Sequence, residues 1–339
     1  VSSDNFAVPI RCTQNPTMGE EWRRGWDPES IKPKKTDQKA LVIGSGPSGL
    51  ECTMQLARRG YHVTLAEADN KLGGRVLFES GLKGLSAWKR VSDNRIYEIQ
   101  QKNNIEIYKE SELTLSHINE LGINNIFLAT GSSWRKDGVG RSRRKPVQGL
   151  ESLQVLTPEE AIKQSPNLSG PIVVYDDEQG YLAGVIADHL SFDEHEVIFI
   201  TPASVVSPWT ESTLEQKRIQ KALLVSGVNV ICNKTIDKAE GSSLNLKCVF
   251  TGEISLLKCS SLVMVTERIP NTTLYDQLVE QENNTEQGVA KHIQVIGDAE
   301  STGLIADAVF LGHLAAQSFE EPEQEIQKAM FMREMPSLK

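Results

Sequence analysis

The sequence predicts an α/β protein with two parallel sheets, and three observations support this prediction. First, an apolar run at residues 40–43 is followed at once by a glycine-rich turn, a helical stretch and a second apolar run. Second, a weaker copy of this β-α-β pattern begins at Ile172. Third, later apolar runs end at Thr130-Gly131, Thr266 and Gly297-Asp298. Two β-α-β units in one chain indicate two Rossmann-like domains.

Composition restricts the classes of protein to consider. The chain has 339 residues, of which 39% are hydrophobic, as in a globular protein long enough for two domains. Its 36 Lys and Arg residues against 45 Asp and Glu residues give a net charge of -9. This charge repels phosphate backbones and anionic lipid surfaces. We therefore expect neither nucleic acid nor a membrane as a partner.

The cysteines indicate a reducing environment. They are odd in number and scattered, without C-x-x-C or metal-finger spacing: Cys12, Cys52, Cys232, Cys248 and Cys259. A disulfide scaffold is not expected, and the pattern fits a cytoplasmic protein. No apolar run approaches the roughly 18 residues that span a bilayer, and the N-terminus has no features of a signal peptide. The missing initiator Met suggests a part of a longer protein.

The first elements follow from local patterns. Residues 1–38 contain four prolines and a basic cluster with little periodicity, which predicts an extended arm. A strand over residues 40–43, a helix over Pro47–Arg59 and a strand over His62–Ala66 come next. The basic, glycine-containing stretch at residues 135–145 is predicted to be an exposed, solvated loop.

The second β-α-β unit is predicted in the same way. A strand over residues 172–175 leads through a turn at 176–180 into a helix over 181–190 and a strand over 196–200. A final helix is predicted over residues 304–319. The chain thus returns to the pattern of the first unit near its C-terminus.

The strongest motif is a glycine-rich loop between the first strand and the first helix. The loop reads Gly44-Ser45-Gly46-Pro47-Ser48-Gly49, a G-x-G-x-x-G in the context that makes it specific for a dinucleotide. Its glycines allow the tight turn, the approach of a pyrophosphate and close packing of helix on strand, and the anion lies on the helix N-terminus. Glu67 ends the second strand, where its carboxylate can accept hydrogen bonds from ribose hydroxyls. ADP or FAD fits this pattern, whereas a 2′-phosphate would be repelled.

Further candidate residues surround this loop. Gly73-Gly74-Arg75 could bring bare backbone and a cation to the diphosphate, or could be a plain turn. Asp298 could bind a ribityl or ribose hydroxyl, or could cap the last helix. Ala68, Thr130 and Gly131 complete the predicted cofactor-binding set.

The second unit departs from the phosphate-binding pattern. Asp176, Asp177 and Glu178 place carboxylates where a pyrophosphate would bind, and of the glycine pattern only Gly180 and Gly184 remain. Repulsion of this kind disfavours phosphate by an amount on the order of 1 kcal/mol or more per charge. We therefore expect a domain with the nucleotide-binding architecture and no NAD(P)H. The six histidines form no nucleophile or metal motif, so no catalytic residue is predicted in this chain.

A family resemblance rests on motifs spread along the chain. Near the N-terminus they are Arg11-Cys12-Thr13-Gln14-Asn15-Pro16 and Gly19-Glu20-Glu21-Trp22-Arg23-Arg24-Gly25-Trp26, and later in the chain they include Ala129-Thr130-Gly131, Val174-Tyr175-Asp176-Asp177 and Gly297-Asp298-Ala299-Glu300. With them the sequence closely resembles the trimethylamine, dimethylamine and histamine dehydrogenases, which are related to 2,4-dienoyl-CoA reductase. The resemblance covers essentially the whole chain.

The resemblance implies a longer polypeptide than this one. Its N-terminal TIM barrel holds FMN, a 4Fe-4S cluster follows, and two disulfide-reductase-like Rossmann domains come last, the second inserted in the first. By this resemblance residues 39–145 and 285–339 form the FAD- or ADP-binding domain, and residues 146–284 form a degenerate NAD(P)-binding-like domain. Cys12 matches the last cysteine ligand of the cluster, and one thiolate cannot hold a cluster that needs four. FMN and the cluster are therefore expected only in the full-length protein, and this part alone is expected to be inactive.

Three functions remain open from the sequence. The first is the nucleotide-binding region of an amine dehydrogenase, which oxidises an amine and passes electrons to an electron-transferring flavoprotein, with a homodimer expected at full length. The second is an NAD(P)H-dependent enoate reductase with FAD, FMN and 4Fe-4S. The third is a free-standing nucleotide-binding docking module. The acidic turn at residues 176–178 favours the first function, because a reductase must bind a reduced nicotinamide.

Overall fold

The computed structural model describes residues 11–18, 30–168, 170–192, 195–284 and 290–322. The strands in these ranges are β1 Lys39–Ile43, β2 His62–Ala66, β3 Ile105–Tyr108, β4 Asn125–Leu128, β5 Ser132–Trp134, β6 Gln154–Leu156, β7 Ile172–Asp176, β8 Val197–Ile200, β9 Asn229–Ile231, β10 Lys234–Glu240, β11 Ser243–Cys248, β12 Ile254–Lys258, β13 Ser261–Val265, β14 Arg268–Pro270 and β15 His292–Val295. The α-helices are α1 Pro47–Arg59, α2 Arg75–Glu79, α3 Arg90–Gln100, α4 Leu115–Leu121, α5 Pro158–Gln164, α6 Leu182–Phe192, α7 Gln216–Val225, α8 Thr273–Asn284 and α9 Ile305–Ser318.

The first of two compact units contains the described residues up to Gly81, Leu85–Ser132 and those from Pro270 on. Its sheet has the strand order β15-β4-β1-β2-β3, and every neighbouring pair is parallel. Strand β1 lies at the centre, with Leu41 opposite Thr64 on one side and Ile126 on the other. Consequently the loop that follows β1 leaves from the middle of the carboxyl edge, where open α/β sheets bind ligands.

Helices cover both faces of this first sheet. On one face Ala40 and Val42 pack with α1 and α9 in a core that includes Leu50 and Phe127. On the other face alternate β1 side chains, such as Leu41, pack with α4 and α8. This arrangement explains the continuous apolar run of β1, since a strand covered on both faces has no polar side.

The second unit consists of Ser133–Ile269 together with Leu82–Gly84. Its parallel sheet has the strand order β6-β13-β7-β8-β9, and a three-stranded antiparallel sheet has the order β10-β11-β12. The two sheets share a core in which Tyr175 and Ile200 lie with Ile236, Leu244 and Leu246. Helices α6 and α7 lie against β7, β8 and β9.

The prediction of an α/β protein with two Rossmann-like domains, the second inserted in the first, is confirmed. The chain passes between the units after Ser132 and after Ile269, both earlier than the predicted boundaries at residues 146 and 284. Strands β5 and β14, which contain these crossings, pair with each other. The described parts of the predicted arm, residues 11–18 and 30–38, contain no helix or strand.

Buried Arg59 connects three segments of the first unit. Its Nη1 donates to the carbonyl oxygens of Phe319 at 2.9 Å and Gln317 at 3.2 Å, at the end of α9. Its Nε donates to the Lys32 carbonyl oxygen at 3.1 Å, and its Nη2 forms an ion pair with Glu321 at 3.0 Å. A guanidinium has five donors in a fixed fork, so a single side chain can satisfy the free carbonyl groups of a helix end.

Within the described residues, no helix has the length and apolar character needed to cross a bilayer.

Candidate nucleotide-binding site

The glycine-rich loop has the backbone shape that its sequence predicts. Gly44 follows β1 with φ +99°, and a Cβ there would overlap the Ala129 carbonyl group. A Cβ on Gly49 would overlap the Gly44 carbonyl oxygen. Both positions therefore require glycine for folding: the first for its left-handed φ and both because neighbouring backbone leaves no space.

Gly46 differs from Gly44 and Gly49, because it faces open space. A Cβ built on it would have no atom within 4 Å, and its φ of -65° is accessible to any residue. It is the N-cap of α1, and no side chain caps the helix. Pro47, at the first helical position, has no N–H to satisfy. An uncapped helix N-terminus next to vacant space is the geometry that binds a phosphate group.

Glu67 lies directly against this loop. Its Oε2 accepts hydrogen bonds from the Ser45 N–H at 2.8 Å and from the Ser45 hydroxyl at 2.5 Å. Its Oε1 accepts one from the Asp69 N–H at 2.8 Å. The carboxylate is buried, whereas Ala68 beside it is exposed. The acid is thus fixed at the edge of the loop, with Oε1 able to accept a further hydrogen bond because a carboxylate oxygen has two lone pairs.

The Gly73-Gly74 turn packs against the glycine-rich loop. The Gly73 N–H donates to the Ser45 carbonyl oxygen at 3.0 Å and lies 3.3 Å from the Ser45 hydroxyl oxygen. Gly74 has φ +58°, and a Cβ there would lie 2.9 Å from the Cα of Gly46. The structure therefore brings the Gly74 backbone to within contact distance of Gly46 in the glycine-rich turn.

Arg75 and Asp298 lie together at the same end of the sheet. Arg75 Nη2 donates to the Ser132 carbonyl oxygen at 2.6 Å, and its Nη1 lies 3.3 Å from Asp298 Oδ2. Asp298 also accepts from the Ser132 hydroxyl at 2.9 Å and from the Gly303 N–H at 3.1 Å. The N-cap of α9 is Leu304, so Asp298 does not cap that helix directly.

Two later glycines allow the last strand and helix to approach the loop. Gly297 has φ +66°, and a Cβ there would lie 2.6 Å from the Ser48 Cβ. A Cβ on Gly312 of α9 would overlap the Ser48 carbonyl oxygen. Within the described part of the chain the Ser48 hydroxyl is buried without a hydrogen-bond partner. The absence of a Cβ on Gly297 thus leaves room for the Ser48 side chain on the first turn of α1.

Thr130 and Gly131 are held by a residue that the sequence analysis did not identify. Asn271 donates from Nδ2 to the Thr130 carbonyl oxygen at 3.0 Å and from its backbone N–H to the Gly131 carbonyl oxygen at 2.9 Å. The Thr130 hydroxyl donates to the Asn271 carbonyl oxygen at 2.7 Å. Ser132 and Asn271 are thus additional residues of this region. Ser132 could have been suggested by its place after Thr-Gly, whereas Asn271 gives no local signal.

The acidic turn of the second unit is buried rather than open. Asp176 and Asp177 have no exposed surface, and burial raises the pKa of Asp176 well above its ordinary value. Asp176 Oδ1 accepts a hydrogen bond from the Gln179 N–H at 2.7 Å, while its Oδ2 has no partner among the described residues. Burial also raises the pKa of Asp177. A phosphate would meet buried oxygen acceptors here instead of N–H donors.

The loop at residues 135–145 covers this turn. Ser142 donates to Asp177 through its hydroxyl at 2.6 Å and through its N–H at 3.0 Å. A Cβ on buried Gly140 would lie 2.5 Å from Asp177 Oδ2. The side chain of Arg143 donates to the Ile236 carbonyl oxygen at 2.9 Å. The predicted exposure holds for Lys136, Arg141, Ser142, Arg144 and Lys145, whereas Gly138 and Gly140 are buried, so the loop is exposed only in part. The loop is tied down because Asp177 accepts its donors.

Cys12 lies in a short ordered segment at residues 11–18. Its thiol is partly exposed and is not in a disulfide, and the Gln14 N–H points to its Sγ at 3.4 Å. The described residues contain no group of three or more side chains that could hold a metal ion. The predicted Gly19 to Trp26 motif lies outside the described residues.

Comparison with known proteins gives the family. The pyridine nucleotide-disulphide oxidoreductase family matches residues 15–82 and 38–300. Dimethylamine dehydrogenase of Hyphomicrobium is 31% identical over 95% of this chain and 47% of its own length. The structure of histamine dehydrogenase from Rhizobium superimposes with a TM-score of 0.91 at 40% identity, covering 95% of this chain and 50% of that one. The structure of 6-hydroxypseudooxynicotine amine oxidase from Pseudomonas geniculata superimposes with a TM-score of 0.88 at 34% identity. The match covers 94% of this chain and 47% of the amine oxidase chain.

These matches confirm the predicted resemblance to the amine dehydrogenases. The chain spans about half the length of the relatives it matches. With the family match extending over most of its residues, the chain belongs to the pyridine nucleotide-disulphide oxidoreductase family.

Proposed function

We propose that the first unit binds the adenosine diphosphate part of ADP or FAD in an iron–sulfur flavoprotein amine dehydrogenase. The observation that carries this proposal is the space at Gly46, where an uncapped helix N-terminus meets the Gly73-Gly74 backbone. Pyrophosphate lies at α1, and the ribose hydroxyls donate to Glu67. Arg75 and Asp298 stand at the carboxyl ends of the same strands, where they bind the remaining polar groups of the nucleotide.

The second unit supports an amine dehydrogenase over a reductase. A nicotinamide-dependent reductase needs a second nucleotide site, and here the corresponding turn contains two buried carboxylates. Residues 140 and 142 lie over one of them. A pyrophosphate would have to displace this loop and approach uncompensated acceptors, which is unfavourable on both counts. We infer that the second unit is structural and binds no NAD(P)H.

The remaining parts of the enzyme lie outside this chain. We propose that Cys12 is the last of four cysteine ligands of a 4Fe-4S cluster, and that an N-terminal TIM barrel supplies the other three and FMN. The amine would be oxidised in that barrel, so this chain alone would be inactive. Electrons would leave through the cluster to an electron-transferring flavoprotein, and the full-length protein would be a homodimer. What supports this proposal is the position of Cys12 in the motif shared with the amine dehydrogenases, together with its partly exposed thiol.

The test is to purify the chain without added nucleotide, to record its visible spectrum and to identify released nucleotide by mass spectrometry. We expect a colourless protein that releases ADP, or a yellow one that releases FAD and is not bleached by NADH or NADPH. A yellow protein bleached by either coenzyme would instead identify the enoate reductase. A protein that releases no nucleotide and binds none in calorimetry would refute the proposed site and favour a docking module.

A further inference from the structure

A buried ion pair outside the nucleotide-binding loop connects α1 with α3. The two partners, Glu51 and Arg95, are 0% and 1% exposed, and Arg95 Nε lies 2.6 Å from Glu51 Oε2. The other carboxylate oxygen accepts from Gln55 Nε2 at 2.8 Å and lies 3.2 Å from His313 Nδ1 on α9. Desolvation of both charges is costly, so a pair of this kind is weak evidence for stability and calls for another role.

The remaining donors of Arg95 indicate that role. Its Nη1 donates to the Val91 carbonyl oxygen at 2.8 Å, within its own helix. Its Nη2 points to the Gln14 carbonyl oxygen at 3.4 Å, two residues after Cys12. Because the guanidinium is planar and its donors are fixed in direction, the bond to Glu51 also determines where the Gln14 carbonyl must lie.

A second contact holds the other side of Cys12. The Arg11 guanidinium lies 3.7 Å from the ring centroid of Phe310 on α9. Phe310 precedes His313 by three residues, so both lie on the same face of that helix. The residues on the two sides of Cys12 therefore contact α9 and Arg95.

Hydrogen bonds also form within the segment of residues 11–18. The Gln14 N–H points to the Cys12 Sγ. Asn15 Oδ1 accepts from the Thr17 N–H at 3.0 Å and from the Thr17 hydroxyl at 2.7 Å. These local hydrogen bonds restrict the backbone between Cys12 and Thr17.

We propose that Arg95, oriented by Glu51, is a positioning residue that fixes the Cys12 sulfur for metal ligation. The inference rests on the proposed role of Cys12 as a cluster ligand. Three of the four sulfur ligands would come from another part of the protein, so the fourth must be held at a defined place. The buried Arg95 guanidinium contributes to this through its contact with the Gln14 carbonyl oxygen.

The test measures amide hydrogen exchange of residues 12–18 and of α1 in the same chain. Replacing Arg95→Met removes a charged donor, and we expect exchange at residues 12–18 to become about tenfold faster or more, a larger factor than in α1, which loses only the cation opposite Glu51. The matched control is Arg58→Met, which breaks an ion pair with Glu98 at 3.1 Å between the same two helices. This control should leave residues 12–18 as in the parent chain.

A second variant distinguishes loss of the positioning contact from misfolding caused by an unpaired buried charge. Arg95→Met leaves the Glu51 charge buried without its cation, whereas the double variant Glu51→Gln with Arg95→Met removes both charges. We expect the same selective acceleration in the double variant. Unchanged exchange at residues 12–18, or equal acceleration in α1, would overturn the positioning role.

The role of Cys12 itself is tested separately. In the full-length enzyme, Cys12→Ser should lower the iron content. Unchanged iron would refute the proposed ligand while leaving the exchange result interpretable, so the two failures can be distinguished.

Discussion

Replacing Gly46→Ala separates nucleotide binding from folding. The backbone angles at this position, φ -65° and ψ 178°, are allowed for alanine, and the new methyl group meets no atom within 4 Å. Alanine is a poorer N-cap than glycine, which costs a few tenths to about 1 kcal/mol. Alanine also reduces the conformational entropy of the unfolded chain, which stabilises the folded state by about 0.4–1 kcal/mol. We therefore expect the free energy of unfolding to change by less than about 1 kcal/mol.

The effect on binding should be much larger. The methyl group occupies the space through which the pyrophosphate approaches the N–H groups of α1. Loss of one hydrogen bond to a charged group costs about 1.5–3 kcal/mol, which corresponds to about a 10- to 100-fold weaker Kd.

The assay is isothermal titration calorimetry with ADP on nucleotide-free protein, with thermal unfolding of the same samples. Gly44→Ala is the matched control, because its methyl group would overlap the Ala129 carbonyl group at φ +99° and should destabilise the fold itself. An unchanged Kd for ADP in Gly46→Ala would show that the nucleotide does not lie over α1.

Three further predictions concern stability and reactivity. Burial raises the pKa of Asp176 well above its ordinary value of 3.8. The neutral carboxyl group therefore stabilises the folded state below pH 3.8, and this contribution is lost as the pH rises through the pKa of the folded state. Asp176→Asn should therefore raise Tm at pH 7, by about 2–4 °C for each kcal/mol gained, and thermal scans from pH 4 to 8 should show a flatter profile; a lower Tm at pH 7 would contradict this. Arg59→Met should lower the free energy of unfolding by about 3–5 kcal/mol in urea titrations, against about 1 kcal/mol or less for the partly exposed Arg58→Met. Hydrogen bonds from Thr251 and Phe250 lower the pKa of Cys248 to about 7, so alkylation followed by mass spectrometry should modify it first at pH 7, with a rate midpoint near that value that Cys248→Ser abolishes.

The elements that sequence reasoning located well are those set by local pattern. The helix at Pro47–Arg59 and the strand at His62–Ala66 have the predicted bounds, because a glycine-rich turn, a proline at the first helical position and Gly60 mark their ends. The last helix, predicted over residues 304–319, is observed as Ile305–Ser318. The predicted helix over residues 181–190 is observed as Leu182–Phe192.

The contacts that sequence reasoning missed join residues far apart in the chain. Ser142 reaches Asp177 across 35 positions, and Arg95 reaches Glu51 across 44. Composition marked the first as part of a charged, solvated loop, because nothing local shows that an acidic turn will accept its hydroxyl. The contact between Arg95 and Glu51 was missed because an arginine in a helix with charged neighbours is usually interpreted as a surface residue. Such pairs depend on how helices and loops assemble, which local periodicity does not contain.

The insertion of one unit within the other has a consequence for the order of folding during synthesis. The second unit is almost contiguous, with Ser133–Ile269 forming nearly all of it, so its sheet can form as soon as those residues have left the ribosome. The first unit begins earlier but needs β15 beside β4, and α9 beside α1. Until these arrive, β4 is an open edge and one face of α1 is uncovered, surfaces that promote misassembly. The first unit is therefore expected to mature last, and a nucleotide bound at α1, as proposed, would act on it only after the inserted unit is complete.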